Sequence, residues 1–313
     1  MASFDQVNYS LRPSKTIERL LAFDSVRQLM NALPLDNMLY VGFGSIWFVD
    51  FYIAHKFLGL RDSASIEANN IGFARARFNR PFSTCSVFHG YSSTVIPRLL
   101  KKPAFKNRPW FLWLDYDYEL REDVADEIRF CIENLPENSV FLVTFSGKGA
   151  RYGTPVSREE NLRRILGDAL ASDLDEEALD DDLAHTLADG ALAFMSDVAV
   201  NLMRPGGFLE AFRLIYTDTS TMVTVGGVLP AKGARVAAEV IVNGDAWAGW
   251  DDDEIQAPHL TWLEASKLQQ LLPREGRVTK AEVREMGFDL SREQLASFAR
   301  YYKYYPYFAQ VSQ

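Results

Sequence analysis

The sequence predicts a doubly wound α/β fold with a mainly parallel sheet, a helical insertion and a small helical unit at the C-terminal end. Three observations carry this reading. The stretch Met38 to Phe51, MLYVGFGSIWFVDF, reads as a short apolar strand, a turn holding two glycines, and a helix. Strand and helix patterns then alternate as far as Phe145, as parallel strands joined by helical crossovers and covered on both faces require. Finally, the apolar runs Phe212 to Tyr216 and Met222 to Val225 bracket the turn-rich Thr217-Asp218-Thr219-Ser220, the pattern of an antiparallel hairpin.

Taken in order, the chain begins with a segment in which Tyr9, Arg12 and Lys15 lie close together. It reads as an ordinary surface arm, the alternative being a flap over a ligand. From Ser14 to about Leu33, Ile17, Leu20, Leu21, Leu29 and Met30 recur at helical spacing, with Ser14 as candidate N-cap and Pro34 as a stop. A strand from Met38 to Val41 leads into Gly42, Phe43, Gly44 and Ser45. Glycines here would let the backbone take positive φ and approach a ligand, while the first amides of the next helix point free N–H groups above the strand. That helix, Ile46 to Leu58, is apolar nearly all round and ends at Gly59.

The second strand, Ala64 to Glu67, ends in an acid and precedes a helix carrying Arg75 and Arg77. Glu67 lies roughly 20 positions past the glycine turn, where an acid meets ribose hydroxyls in doubly wound folds. A third strand, Cys85 to Phe88, runs into His89-Gly90-Tyr91-Ser92. A fourth, Trp110 to Leu114, ends in Asp115-Tyr116-Asp117-Tyr118. A helix from Asp123 to Asn134 feeds the fifth strand, Val140 to Phe145, which leads into Ser146-Gly147-Lys148-Gly149.

The character changes over about 150–205, read as a helical insertion. Ser157 and Glu160 have the spacing of a capping box, and Asp173 to Asp182 contains seven acids and no base, a solvated acidic face. The sheet domain is expected to occupy 1–245 and a small helical unit 246–313, with the acidic run Asp251 to Glu254 as linker. Three capping boxes, Thr261 with Glu264, Thr279 with Glu282 and Ser291 with Gln294, each open a short helix. The aromatics from Tyr301 to Phe308, alternating with Arg300 and Lys303, read as core or interface packing, with stacking on bases as the alternative.

The 313 residues are 48% hydrophobic and 13% aromatic, enough for a sizeable core, and the net charge of -9 implies no general pull toward nucleic acid or anionic membrane, though a local basic patch is not excluded. Cys85 and Cys131 are the only cysteines and fit neither a disulfide framework nor a zinc cluster, so buried free thiols in a reducing compartment are expected. No basic leader followed by an apolar run is present, and no apolar stretch is long enough to span a bilayer; a cytoplasmic protein is expected.

The strand order and the residues at the strand ends resemble the class I, Rossmann-like, S-adenosylmethionine-dependent methyltransferases over roughly Tyr40 to Val228, insertion excepted. The closing hairpin is a further point of resemblance. The resemblance implies S-adenosylmethionine as cofactor, with its methionine part on Gly42, Phe43, Gly44 and Ser45, its ribose on Glu67 and its adenine near His89, Gly90 and Tyr91. It places Asp115 and Asp117 beside the acceptor, either of them a candidate general base, with His89 a weaker candidate that reads first as a hydrogen-bonded strand-end side chain. The chain departs from the family pattern at Tyr40, where an acid is usual, at Ile46, where a third glycine is common, and at Tyr91, where many members carry an acid. Leu114-Asp115-Tyr116-Asp117 resembles the Asp-x-Asp of metal-dependent O-methyltransferases. Thr144-Phe145-Ser146-Gly147, however, stands where their carboxylate and amide ligands would be, so no metal is expected. The adjacent prolines of adenine N-methyltransferases are absent.

The implied function is methyl transfer to an unidentified acceptor, a small molecule or protein rather than nucleic acid. The alternative is a non-catalytic nucleotide-sensing or scaffold protein that binds a partner protein through the insertion or the C-terminal unit. A nicotinamide-dependent oxidoreductase is disfavoured by the missing full glycine fingerprint.

Overall fold

The computed structural model describes residues 12–35 and 37–306. Seven strands form one sheet: β1 (Leu39–Gly42), β2 (Ser63–Glu67), β3 (Cys85–His89), β4 (Trp110–Glu119), β5 (Ser139–Ser146), β6 (Leu209–Thr217) and β7 (Thr221–Leu229), in the order β3-β2-β1-β4-β5-β7-β6. The first five are parallel, while β7 inserts antiparallel between β5 and β6 as one arm of the expected hairpin. Strand order reverses between β1 and β4, and it is outside the carboxyl ends of such a pair that doubly wound sheets open a crevice.

Side chains alternate across the sheet and build two cores. On one face Val41, Ile66, Leu112, Leu114 and Val143 pack under α4 (Ser92–Leu100), α5 (Glu122–Asn134) and α8 (Leu183–Asn201). On the other, Tyr40, Phe111, Trp113 and Leu142 pack under α1 (Pro13–Ala32), α2 (Val49–Lys56), α3 (Asn70–Asn79) and α9 (Arg235–Val242). Phe23 of α1 is the hub of this second core, with ring centroids 5.7, 5.1 and 6.0 Å from Tyr40, Phe111 and Trp113. The inserted α6 (Pro155–Leu166) and α7 (Glu176–Leu179) pack on α8, leaving most of the acids from 173 to 182 exposed.

Several boundaries differ from the sequence reading, each for a local reason. α1 starts at Pro13, so Ser14 is inside the helix; its Oγ donates to Thr217 O at 2.7 Å. The cap comes instead from Asp218 in the β6–β7 turn, whose carboxylate accepts from Ser14 N and Lys15 N at 2.9 and 3.1 Å. The helix after the glycine turn begins at Val49, not Ile46, because Ser45 and Phe48 both take φ of 51° and hold the intervening residues in a turn. Strand β4 continues to Glu119, past Leu114, because β5 offers partners out to Ser146; Asp115 to Tyr118 are therefore strand residues across a register shift. The capping box of α6 pairs Thr154 with Ser157 rather than Ser157 with Glu160, since Pro155 starts the helix earlier. Helix α9 has no counterpart in the sequence reading.

The acidic run at 251–254, read as a linker, is tied to the sheet, although Asp252 and Asp253 are exposed. Trp250 and Ile255 bridge to Arg213 and Tyr216, so this stretch lies along the free edge of β6 and supplies partners its backbone would otherwise lack. Asp251 is buried, accepting from Tyr301 Oη and pairing with Arg300. Beyond it, α10 (Trp262–Gln269), α11 (Lys280–Glu285) and α12 (Arg292–Tyr301) each open on the capping box expected. They share a third core with Ile17 and Leu21 of α1 and Leu214 and Tyr216 of β6. Tyr301 and Tyr305 are buried in it, and Tyr304 Oη donates to Asp24 of α1 at 3.3 Å. Tyr9, Tyr307 and Phe308 lie outside the described residues. Cys85 and Cys131 are free and buried. Among the described residues no helix is long and apolar enough to cross a membrane.

Because Asp218 caps α1 from a distant turn, Asp218→Ala removes two hydrogen bonds to helix amides together with one ion-pair contact of Arg12. We expect a loss of about 1–3 kcal/mol in urea unfolding. Asp181→Ala, in the exposed acidic run, should stay within about 0.5 kcal/mol of the parent.

Candidate active site

A crevice of about 420 Å³ opens where the carboxyl ends of β1, β2, β3 and β4 meet, walled by the turn after β1, by Glu67, by Gly90 to Ser92 and by Asp115 to Tyr118. Its floor explains the two glycines differently from the sequence reading. Neither takes positive φ; the left-handed residues are Ser45 and Phe48. What excludes a side chain is close approach. A Cβ on Gly44 would lie 2.6 Å from both the Phe48 ring and Ser65 Oγ, and one on Gly42 would lie 3.1 Å from Trp113 O. Gly44 N donates to Ser65 Oγ at 3.1 Å, which ties the turn to β2.

The structure brings Phe43, Gly44, Ser45, Glu67, Gly90, Tyr91, Asp115 and Asp117 to this one crevice. Glu67 receives Asn69 N on Oε1 at 2.8 Å, and its backbone oxygen receives Gly90 N at 3.0 Å, so β2 and β3 end in a linked pair of turns. Two expected residues fall outside the lining. Gly42 ends β1 beneath the turn. His89 is turned away, its ring stacked on Phe73 at 4.9 Å and its Nε2 3.1 Å from Ala68 O.

The sequence reading missed the charged face of α1. Lys15, Glu18 and Arg19 are all at most 3% exposed. Lys15 Nζ lies 2.9 Å from Asp115 and 3.4 Å from Glu18, between the rings of Trp113 and Tyr216 at 4.9 and 5.0 Å. Glu18 Oε1 accepts from Thr224 Oγ1 at 2.6 Å; that hydroxyl is 2.7 Å from Thr144 Oγ1, which in turn accepts from Trp113 Nε1 at 2.9 Å. Arg19 pairs with Asp50, and both line the crevice. Charges at i, i+3 and i+4 on a helix ordinarily read as a solvated face. The available signal was polar Thr144 and Thr224 within otherwise apolar strands, which need buried partners.

Two bases face three acids in this cluster, and Glu18 absorbs the imbalance. Burial pushes its carboxyl up to about 7, with Lys15 opposing and Asp115 reinforcing the shift. Burial works against the charge on Lys15, but Asp115 and Glu18 outweigh it and hold the ammonium above its ordinary range. The opposite wall is aromatic. Tyr116 packs on Phe43 and Tyr118 at 5.3 and 4.9 Å, and its hydroxyl donates to Glu127 at 2.8 Å; Ser92 Oγ donates to the same oxygen at 3.0 Å. Burial raises the Glu127 carboxyl, and these two hydrogen bonds restrain it. Burial likewise pushes the Tyr118 hydroxyl up to about 12, against the Arg121 guanidinium 4.1 Å above its ring.

The two β4 carboxylates therefore differ. Asp115 is engaged by Lys15, whereas Asp117 is exposed at the rim and its carboxylate has no hydrogen-bond or ion-pair partner among the described residues. Among those residues no group of three or more His, Cys, Asp or Glu is placed to hold a metal.

Over residues 7–313 the sequence matches the family described as "Putative O-methyltransferase". The chain belongs to that family. The O-methyltransferase match takes in both α1, with its buried charges, and the C-terminal helices. No curated protein matches. Similar solved structures include Trm1 from Pyrococcus horikoshii with S-adenosyl-L-methionine, at TM-score 0.45 and 11% identity over 70% of this chain and 57% of that one. The O-methyltransferase from Bacillus cereus in complex with SAH gives 0.37 and 11%, over 65% and 79%. An S-adenosylmethionine-dependent methyltransferase from Mesorhizobium loti gives 0.36 and 13%, over 64% and 94%.

The titration of Glu18 gives a signed expectation. A carboxyl whose folded pKa is about 7 rather than 4.5 binds its proton more tightly in the native state. The stability this contributes is complete below about 4.5 and is lost as pH rises to 7, a change of about 3 kcal/mol at most. Glu18→Gln keeps the acceptor for Thr224 without the charge, so its melting temperature should fall less than the parent's between pH 5 and pH 8. Equal slopes for the two proteins would show that Glu18 does not titrate in this range.

Proposed function

We propose that the protein transfers a methyl group from S-adenosylmethionine and binds that cofactor in the crevice at the strand-order reversal. The observation that carries this is the convergence of the Gly44 turn, Glu67 and the two β4 carboxylates on one crevice, in a chain of the O-methyltransferase family. The residues present suit the group. The Gly44 turn is held against β2 at the mouth of the crevice, and five acids with an aromatic wall suit a cationic sulfonium. When bound, the cofactor supplies an electrophilic methyl for in-line displacement.

The chain's own residues bind and orient. Glu67, with one oxygen already held by Asn69, offers the other to ribose hydroxyls. The Gly44–Ser45 turn takes the amino-acid end, with the Arg19 guanidinium toward its carboxylate and Asp50 toward its ammonium. Gly90 and Tyr91 flank the adenine. Asp117, unpaired at the rim, is the candidate base for the acceptor, while Asp115, bound to Lys15, fixes the shape and charge of the floor. We place this activity in the sheet domain, 1–245, with 246–313 as an appended helical unit. The exposed acids of the insertion and the outer face of that unit are where a protein partner would dock. Two buried free thiols are consistent with a cytoplasmic setting.

Calorimetry with S-adenosylhomocysteine should show binding that Glu67→Ala weakens about ten- to a hundredfold. Absence of heat with the parent protein would end this proposal.

The two aspartates separate in a methyl-transfer assay with labelled cofactor and cell extract. Asp117→Asn should cost about 10²-fold or more in turnover and leave cofactor affinity and melting unchanged. Asp115→Asn strips a buried lysine of its closest partner, so a stability loss of about 3–5 kcal/mol should accompany any loss of rate. Cofactor binding without transfer by the parent would instead favour a sensor or scaffold.

A further inference from the structure

Between Glu67 and Asp115 the chain carries eight Arg and Lys and no Asp or Glu, in a protein of net charge -9. The fold gathers this stretch at one end of the sheet, as α3, the edge strand β3, α4 and the loop that follows. There a groove of about 890 Å³ runs beside β3, lined by Arg77, Arg80 and Lys102 and by Phe78, Phe88 and Phe105. The three cations are exposed and Phe78 is 90% exposed, while Lys102 Nζ stands 4.6 Å over the Phe88 ring. The groove is distinct from the crevice and shares none of its lining. Yet both are built on β3, whose middle forms the groove floor and whose end leads to Gly90 and Tyr91.

We propose that this groove binds a single-stranded nucleic acid, with phosphates on Arg77, Arg80 and Lys102 and a base stacked on Phe78. Cations without intervening acids match a phosphate backbone, and an exposed ring among them supplies the stacking surface that sequence-tolerant single-strand binders use. An acidic peptide would satisfy the cations but make no use of the ring. The overall negative charge keeps non-specific binding elsewhere on the molecule low, so the footprint is confined to this edge. A strand lying along β3 is directed toward the crevice.

The test uses the full chain and a fluorescein-labelled uridine 12-mer, followed by anisotropy. Three phosphate contacts should make binding about twentyfold weaker at 200 mM than at 50 mM salt. The combined Arg77→Gln, Arg80→Gln, Lys102→Gln variant should lose at least tenfold in affinity and most of the salt dependence. Phe78→Ala should lose about tenfold with the salt slope kept. All four side chains lie outside the crevice and the cores, so melting temperatures should match the parent's. No binding at 50 mM salt, or binding indifferent to the triple substitution, would overturn the proposal. Self-association by light scattering that the triple variant abolishes, without oligonucleotide binding, would overturn it in favour of a second copy's acidic insertion as occupant.

Discussion

Lys15 is a full positive charge taken out of water, and the arrangement of the crevice floor follows from what that costs. An isolated buried ammonium would lose several kcal/mol of hydration or give up its proton. Here Asp115 at 2.9 Å and Glu18 at 3.4 Å keep it charged, with the rings of Trp113 and Tyr216 on either side. The pair joins α1 to the end of β4, so the position of one crevice carboxylate is set by a helix at the start of the described chain. Breaking such a pair costs more than forming it contributes, because the remaining charge cannot leave. The interaction thus acts less as net stabilisation than as a rule about where α1 must sit.

That rule needs α1 held in register from elsewhere, and Asp218 does this by accepting from the first helix amides. A carboxylate at a helix N-terminus meets free N–H groups and the positive end of the dipole together. The hairpin that closes the sheet is therefore also the clamp that sets Lys15 against Asp115 and Arg19 beside Asp50 at the crevice. Opposite them, Gly44 works by absence: with no Cβ, the turn lies close against Ser65 and Phe48.

The fold was legible because its signals are repeated. Alternating apolar strands, the glycine turn and the closing hairpin all point to a mainly parallel, doubly wound sheet, and the three C-terminal capping boxes all form as spaced. The crevice was legible at Gly44, Glu67, Gly90, Tyr91, Asp115 and Asp117 because strand ends gather there by topology alone. His89 was misplaced because the last residues of β3 alternate sides, and aromatic stacking on Phe73 took its ring away. Lys15, Glu18 and Arg19 were not legible as site residues, since nothing local distinguishes a charged helix face bound for water from one bound for a buried partner. The end of β4 was obscured for a related reason. Its acids and tyrosines look like a loop until β5 is known to pair alongside.

The C-terminal helices complete this logic. Ala257 N donates to Ser14 Oγ at 3.0 Å, Ile255 bridges to Tyr216, and Tyr304 reaches Asp24, so the unit grips the first turn of α1, the strand beside Lys15 and the middle of the helix. Ile17 and Leu21, on the same helix as the buried charges, belong to the core those helices share with β6. Helix α1 therefore contributes to the sheet core through Phe23 and to the C-terminal core through Ile17, and it cannot shift against one without disturbing the other. Because packed cores resist small displacements, α1 is over-determined along its length. A helix fixed from two cores and capped from a third element can hold a buried charge cluster in one arrangement, and this keeps Asp115 and Arg19 in place.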